Sequence, residues 1–322
     1  MKYVRRLALT GVLAPIASFA SSCRDNTGMS RDILFVAQHP GATENIYALH
    51  PTELTSRLLI KGDAATSRSM PAWSPDSRSI AFVREAGDRS ELYVLDTIGG
   101  APRRLAPQLH AFLAWPEWSP DGKKILFTAG RTHAPDVYVI AADGSGLERV
   151  LHDADADFRC PSWSPDGREF VVSAFRSGRS SVLAIEIASR AERTLLASDT
   201  TYLDCPNWAP SGEAIVLTSD PRPGDIWIAD PLRPWRADLA ILELKTLRLR
   251  TLIGDFGLNN YGKWSRDSRW VVFQSNRHAG SGVDSLAPAD RFRTLEIYVV
   301  GADGAGLRRL TTNQYFDAHP SW

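Results

Sequence analysis

The densest group of side chains that could bind a ligand is an alternating acidic run from His152 to Asp157. Its three aspartates offer hard carboxylate oxygens of the kind that calcium prefers. A calcium loop of the EF-hand type also needs glycine at its sixth position and glutamate at its twelfth. This sequence has Phe158 and Ser164 there. The run is therefore interpreted as a solvated acidic loop, and no metal site is predicted from it.

Other catalytic patterns are missing from the sequence. It contains no Gly-x-Ser-x-Gly nucleophile elbow, no His-Glu-x-x-His or Cys-x-x-Cys zinc pattern and no glycine-rich phosphate loop. The seven histidines are scattered along the chain. We therefore assign no catalytic residue, expect no cofactor, and interpret the chain as a binding protein rather than an enzyme.

The elements that position these residues come from a sequence repeat. Trp73-Ser-Pro-Asp recurs at Trp118 and Trp163, and weaker copies begin at Trp208 and Trp264. Counting a last tryptophan at Trp322, the intervals are 45, 45, 45, 56 and 58 residues. A period of about 40–50 residues with several strands per unit is typical of a β-propeller.

Each repeat predicts four strands. A Ser-Pro-Asp turn follows the tryptophan, then come an apolar strand such as Ile125-Leu-Phe, a tyrosine-containing strand such as Val137-Tyr-Val-Ile, and a basic outer strand such as Arg103-Arg-Leu. Charge on the outer strand protects an exposed sheet edge from pairing with other chains. The fold class is therefore all-β, built from four-stranded antiparallel blades.

The two ends of the chain determine the number of blades. Ile33-Leu-Phe matches the second strand of a repeat, but the residues before it lack the tryptophan and proline of a first strand. The segment His319-Pro-Ser-Trp322 matches a first strand whose repeat does not continue. We therefore predict six blades, with the C-terminal strand closing the ring in the first blade.

The Trp-Ser-Pro-Asp-Gly turn, the apolar and tyrosine-containing strands and the Arg-Arg-Leu strand together resemble the TolB-type propeller repeat over about residues 33–322. The resemblance implies a propeller that binds proteins, although related propellers also occur in peptidases and polysaccharide lyases. This chain has no room for the α/β domain that precedes the propeller in TolB. It therefore looks like a TolB-like propeller protein rather than TolB itself.

The N-terminus has the order of a secretory signal. A basic start is followed by an apolar run from Leu7 to Phe19 and by Ala20-Ser-Ser-Cys23. The last four residues resemble a lipobox, with alanine at a position where leucine is usual. An unacylated signal cleaved nearby is the alternative. We predict a signal peptide over 1–22, lipidation at Cys23 with a tether over 23–32, and the propeller over 33–322, so that the protein faces the periplasm or the cell surface.

One residue in each repeat, three positions before the tryptophan, is predicted to lie on an inner strand near one mouth of the central channel. We call these six residues the column: Met70, Trp115, Cys160, Cys205, Tyr261 and His319. Cys160 and Cys205 occupy equivalent positions in neighbouring repeats. A disulfide or a metal site is possible in principle, but two buried thiols are the favoured interpretation.

The repeats that begin at Trp208 and Trp264 carry insertions between their second and third strands, over about 220–238 and 277–294. If Asp225-Ile-Trp-Ile is instead the third strand, the first insertion shrinks to 231–238. Both insertions should lie side by side at one channel mouth. Tryptophan and arginine are frequent in binding hot spots. The predicted partner-binding residues are Arg233, Trp235, Arg236, Arg291, Phe292 and Arg293.

Two functions remain open. The first is recognition of a protein or peptide of the cell envelope at one propeller mouth by a monomer that contacts membrane only through its lipid. The alternative is a carbohydrate lyase that uses residues at the channel mouth, namely Trp115, Arg159, Asp204, Tyr261 and His319. The formal net charge is zero, so no field attracts the chain to nucleic acid, and no nucleic-acid partner is predicted.

Overall fold

A computed structural model describes residue 29 and residues 31–38, 43–87, 89–131, 134–221, 236–254, 257–280, 293–313 and 316–322. These residues form six four-stranded antiparallel sheets, which are the blades of a propeller. The predicted fold class and blade number are confirmed. Within the same residues, no helix is long and apolar enough to span a bilayer.

Blade 1 closes the ring. Its strands, from the channel outward, are β24 (Phe316–Ser321), β1 (Ile33–Gln38), β2 (Asn45–His50) and β3 (Thr55–Ile60). The last strand of the chain therefore pairs with the first, with Leu34 opposite Ser321 and Gln38 opposite Phe316. The predicted closure by the C-terminal strand is confirmed.

The other blades follow the chain, and in each the first strand lines the channel. Blade 2 consists of β4 (Ser67–Trp73), β5 (Ser79–Ala86), β6 (Arg89–Asp96) and β7 (Arg103–Leu105). Blade 3 consists of β8 (Phe112–Trp118), β9 (Lys124–Arg131), β10 (Ala134–Ala141) and β11 (Glu148–Leu151). Blade 4 consists of β12 (Ala156–Trp163), β13 (Glu169–Arg176), β14 (Arg179–Glu186) and β15 (Glu192–Ser198).

Blade 5 consists of β16 (Tyr202–Trp208), β17 (Ala214–Asp220), β18 (Asp238–Glu243) and β19 (Arg248–Ile253). Blade 6 consists of β20 (Asn259–Trp264), β21 (Trp270–Ser275), β22 (Glu296–Gly301) and β23 (Arg308–Arg309). The third strand of blade 5 begins at Asp238, so the alternative that placed it at residues 225–228 is wrong.

The Ser-Pro-Asp turn is stabilised by its own side chains. In blade 3, the Ser119 hydroxyl donates to Asp121 Oδ1 at 2.6 Å, and the same carboxylate accepts the amide of Lys123 at 3.1 Å. These bonds hold the pKa of the Asp121 carboxyl below its usual range. Gly122 takes a positive φ of 70°, which explains glycine after the aspartate. We call the side of the propeller that carries these turns the tryptophan face.

The tryptophan of the repeat joins neighbouring blades. The Trp118 indole donates to the carbonyl of Ala72 in blade 2 at 3.1 Å, and the Trp163 indole donates to the carbonyl of Glu117 in blade 3 at 3.3 Å. At the closure, the Trp322 indole donates instead to the carbonyl of Arg31 at 3.2 Å. Residues just before β1 therefore take part in closing the ring.

Buried apolar side chains fill each junction between blades. Leu113 and Phe127 of blade 3 pack with Leu92 of blade 2, and equivalent clusters fill the other five junctions. Met29 is 1% exposed and belongs to the cluster between blades 6 and 1. The packed region thus includes Met29, which the sequence assigned to the tether.

Candidate functional site

The column residues owe their position to a repeated β-bulge. In β4, Ser69 pairs with Val83 and Ala72 pairs with Ala81 of β5, so two residues, Met70 and Pro71, lie opposite a single residue and the register shifts. All six column residues have φ between 46° and 54°. Side chains other than glycine rarely adopt this left-handed conformation, and such strain concentrates at functional sites. The bulges turn one side chain from every blade toward the channel.

These six side chains line a single narrow cavity of about 40 Å³. In it, the rings of Tyr261 and His319 meet edge to face with centroids 5.1 Å apart. Burial lowers the pKa of His319 to about 4, so the imidazole is neutral near pH 7. The cavity is far smaller than the roughly 300 Å³ that a small-molecule site usually needs. It therefore forms a constriction of the channel.

The prediction that Cys160 and Cys205 are free thiols is wrong, because their sulfurs form a disulfide between blades 4 and 5. The matching bulges bring the two Cα atoms to 4.7 Å, which is within the usual range for a disulfide. Within the described part of the chain, these cysteines and Asp204 are the one group placed closely enough to hold a metal ion. A disulfide lacks the thiolates that bind metals, so this group does not form a ready ligand set.

Arg159 and Asp204 lie in a buried polar network between blades 4 and 5. The Arg159 guanidinium donates to Asp157 Oδ2 and, at 3.0 Å, to the Tyr202 hydroxyl. Tyr202 donates to Asp204 Oδ2 at 2.9 Å, and Ser173 donates to Asp204 Oδ1 at 2.8 Å. Arg159 is 6% exposed and Asp204 is 1% exposed. The side chains of Arg159 and Asp204 therefore stabilise the junction between the two blades. Asp157 is buried in the same network, so the prediction that it belongs to a solvated acidic loop is wrong.

A polar bridge crosses the channel below the column. Lys263 of blade 6 contacts Glu117 of the opposite blade 3 at 2.9 Å, and Ser162 donates to the other oxygen of Glu117 at 2.8 Å. These residues directly precede the repeat tryptophans. They were not among the predicted site residues, although aligned repeats show polar residues at this position in several blades.

Beyond the bridge, the channel widens toward the tryptophan face into a cavity of about 330 Å³. All six repeat tryptophans line it, together with Pro75, Pro120, Pro165 and Pro210. Arg31 also borders this cavity, and its guanidinium stacks on Trp73 at 5.0 Å. Burial, reinforced by the positive charge of Arg266, lowers the pKa of Arg31 to about 9. None of the sequence motifs predicted this cavity.

The two insertions arise at the opposite side of the propeller, where the inner strands begin. We call this side the insertion face. Ala237 directly precedes β18 and Leu295 directly precedes β22. Both are buried in one apolar cluster with Leu258, and Phe316 packs against it. The roots of the two insertions therefore meet.

Of the predicted partner-binding residues, Arg236 and Arg293 are exposed at these roots. The others, Arg233, Trp235, Arg291 and Phe292, lie outside the described residues, as does Cys23.

Buried polar atoms without a partner are concentrated beside the second insertion. Among the described residues, seven of the thirteen such side-chain atoms belong to Asn260, Asn276, Arg277, Glu296, Asp317 and His319. Burial, together with the nearby charge of Glu296, raises the pKa of Asp317 to about 7. Buried polar groups normally find partners, so this concentration is unusual for the interior of a protein.

Comparison with known proteins gave consistent findings for the fold. The sequence model of the TolB beta propeller domain matches residues 42–228. The chain is similar in structure to TolB from Acinetobacter baumannii, with a TM-score of 0.72 and 20% identity over 92% of this chain and 67% of that chain. A comparison with curated proteins found no match.

Other similar structures have different activities. An oligogalacturonate lyase in complex with manganese has a TM-score of 0.53 and 14% identity over 75% of this chain and 70% of that chain. A chain of a nidogen/laminin complex has a TM-score of 0.63 and 11% identity over 90% of this chain and 97% of that chain. Identities this low establish a shared fold only.

Proposed function

Because the chain belongs to the TolB beta propeller domain family, we propose that it is an exported, lipid-anchored module that binds a protein or peptide at the insertion face. The observation that carries this proposal is the convergence of two long connections from adjacent blades. Their roots meet in the cluster of Ala237, Leu258 and Leu295. Loops placed on a rigid scaffold commonly carry binding function.

The residues of the insertions suit recognition of a polypeptide. Trp235 and Phe292 offer flat apolar surface with little conformational freedom to lose. The arginines of both insertions offer planar donors for carboxylates and backbone carbonyls, and Arg236 and Arg293 are exposed at the roots.

The lyase alternative has less support. Arg159 and Asp204 are hydrogen-bonded inside a buried network, and Tyr261 and His319 line a cavity of only about 40 Å³. Metal analysis of the purified protein discriminates the two functions. A stoichiometric metal together with eliminase activity on a polyuronate would favour the enzyme.

Binding at the insertion face is tested with a partner recovered from the native envelope by pull-down. We expect Trp235→Ala and Arg293→Ala each to weaken binding by about 1 kcal/mol or more. Lys123→Ala and Arg168→Ala are matched controls in turns of the tryptophan face and should have little effect. With folding intact in all four variants, the reverse pattern would move the site to the tryptophan face.

The anchor has a direct test as well. Cys23 follows two small residues and an apolar run, as in a lipobox. The intact mass of protein extracted from membranes should include a diacylglycerol adduct on an N-terminus at Cys23. An unmodified protein that begins at another residue would refute lipidation.

A further inference from the structure

Exposed apolar side chains are confined almost entirely to one side of the molecule. In the described residues, the large hydrophobic side chains with the greatest exposure are Leu54 (54%), Leu58 (47%), Ile98 (75%), Leu247 (49%) and Leu307 (37%). All except Leu58 lie in turns that join the third and fourth strands of a blade. At the start of these turns, the amide of Thr97 donates to the carbonyl of Arg78, and the amide of Leu244 donates to the carbonyl of Glu213. Arg78 and Glu213 belong to the turns that follow the repeat tryptophans. The turns between third and fourth strands therefore lie on the tryptophan face.

The four turns belong to consecutive blades. Leu247 is in blade 5, Leu307 in blade 6, Leu54 in blade 1 and Ile98 in blade 2, and we call this set the apolar arc. In the same turns of blades 3 and 4, the apolar residues Leu147 and Ile187 are only partly exposed and pack against the junction clusters, and the exposed side chains include Ser145 and Ser189. Among the described residues, the most exposed large apolar side chains of the tryptophan face therefore lie in one half of it.

The fold does not explain these side chains. Leu54 and Leu247 have φ of 55° and 53°, where glycine or asparagine is favoured, and both point into solvent. Leucine at such a position gains nothing from the turn and nothing from the core. Exposed apolar residues grouped on one face commonly mark an interaction surface.

The start of the propeller emerges within the same arc. Met29 packs between blades 6 and 1, and Trp322 and Trp73 donate to the carbonyls of Arg31 and Asp32 on this face. Met29 is the sixth residue after Cys23, with five residues between them. Even fully extended, six residues span only about 20 Å. An acyl chain on Cys23 would hold the tryptophan face close to the bilayer.

We propose that the apolar arc docks on a lipid surface. Leu54, Ile98 and Leu247 enter the headgroup region, while Lys245 and Arg248 beside Leu247 face anionic headgroups. This inference rests on the anchored state of the proposed function. It also orients the molecule, because the cavity lined by tryptophans faces the membrane and the insertion face points away from it, toward a partner.

The test uses the acylated full-length protein in vesicles of phosphatidylethanolamine and phosphatidylglycerol. An environment-sensitive fluorophore is attached at Ile98→Cys. Ser189→Cys in the polar half of the same face and Ser177→Cys on the insertion face are matched controls; both residues are exposed. A quencher carried on lipid chains should remove roughly half of the emission at position 98 and little at either control.

Two results would overturn the inference: emission at position 98 that the lipid quencher leaves unchanged, or equal quenching at all three positions. A change at position 98 that grows with protein concentration without vesicles would instead assign the arc to a second copy of the chain.

The anchor is checked separately by intact mass. If the adduct is absent, the anchor proposal fails and the same protein is assayed by vesicle flotation. Replacing Leu54, Ile98 and Leu247 by serine should then reduce vesicle binding by about tenfold or more. Equal vesicle binding by the variant and the wild type would refute docking through the apolar arc. Binding of the partner at the insertion face is measured in a separate assay, so that result depends on neither the anchor nor the arc.

Discussion

Ionisation of Asp317 should make the propeller less stable as the pH rises. Asp317 lies in the ring-closing strand β24 and is 0% exposed. Its Oδ2 accepts the Asn313 amide at 2.7 Å, whereas its Oδ1 has no partner among the described residues. Burial is the main reason why its pKa rises from 3.8 to about 7, and the charge of Glu296 adds to the effect.

The sign follows from proton linkage. Between about pH 4 and pH 7 the unfolded chain has released this proton while the folded chain retains it, so stability falls as the pH rises through that window. Each pKa unit is worth about 1.4 kcal/mol. The shift therefore costs about 4 kcal/mol in total, of which about 2.5 kcal/mol falls between pH 5 and pH 8.

The assay is urea unfolding at pH 5 and at pH 8. Asp317→Asn keeps the shape of the side chain but cannot ionise. The stability that it loses between the two pH values should be smaller than the wild-type loss by about 2 kcal/mol. Glu44, whose pKa burial also raises to about 7, remains in both proteins and cancels in the difference. Asp199→Asn is the control, because this side chain is 72% exposed. An identical pH dependence in wild type and Asp317→Asn would refute the reasoning.

The remaining predictions concern the closure and the junctions between blades. Removing Phe316–Trp322 should cost several kcal/mol of a stability that is typically about 5–15 kcal/mol, and a truncated protein that melts at the parental temperature would contradict closure by β24. Replacing Cys160 and Cys205 by alanine should lower stability by about 2–4 kcal/mol while partner binding is retained. Trp118→Phe removes an indole bonded to a carbonyl, whereas the Trp208 indole nitrogen has no partner among the described residues. Trp118→Phe should therefore cost about 1 kcal/mol more than Trp208→Phe in urea unfolding, and equal losses would contradict a role for the indole bond.

The blade pattern was predictable because each repeat specifies its own turn. The hydroxyl of Ser119 and the carboxylate of Asp121 form local hydrogen bonds that need no distant partner. The split first blade was predictable for a related reason. The segment that begins at Ile33 lacks the first strand of a repeat, and the segment that ends at Trp322 contains only that first strand. Sequence spacing carries this information directly.

Contacts across the ring were less predictable. Equal positions in neighbouring repeats placed Cys160 beside Cys205, but whether the sulfurs meet depends on the bulge that turns both residues toward the channel. The contact between Glu117 and Lys263 joins opposite blades, 146 residues apart. Arg159 was predicted to lie at the channel mouth. Its side chain instead turns between the blades, where Asp157 neutralises it.

Photo-crosslinking in the native envelope tests two things together: how the anchored protein is oriented and which face of the propeller binds the partner. A photoreactive amino acid replaces Arg293 on the insertion face in one protein and Lys123 on the tryptophan face in another. We predict that the probe at position 293 crosslinks to a protein partner and that the adduct disappears when Trp235 is changed to alanine. A protein adduct from position 123, with none from position 293, would contradict binding at the insertion face.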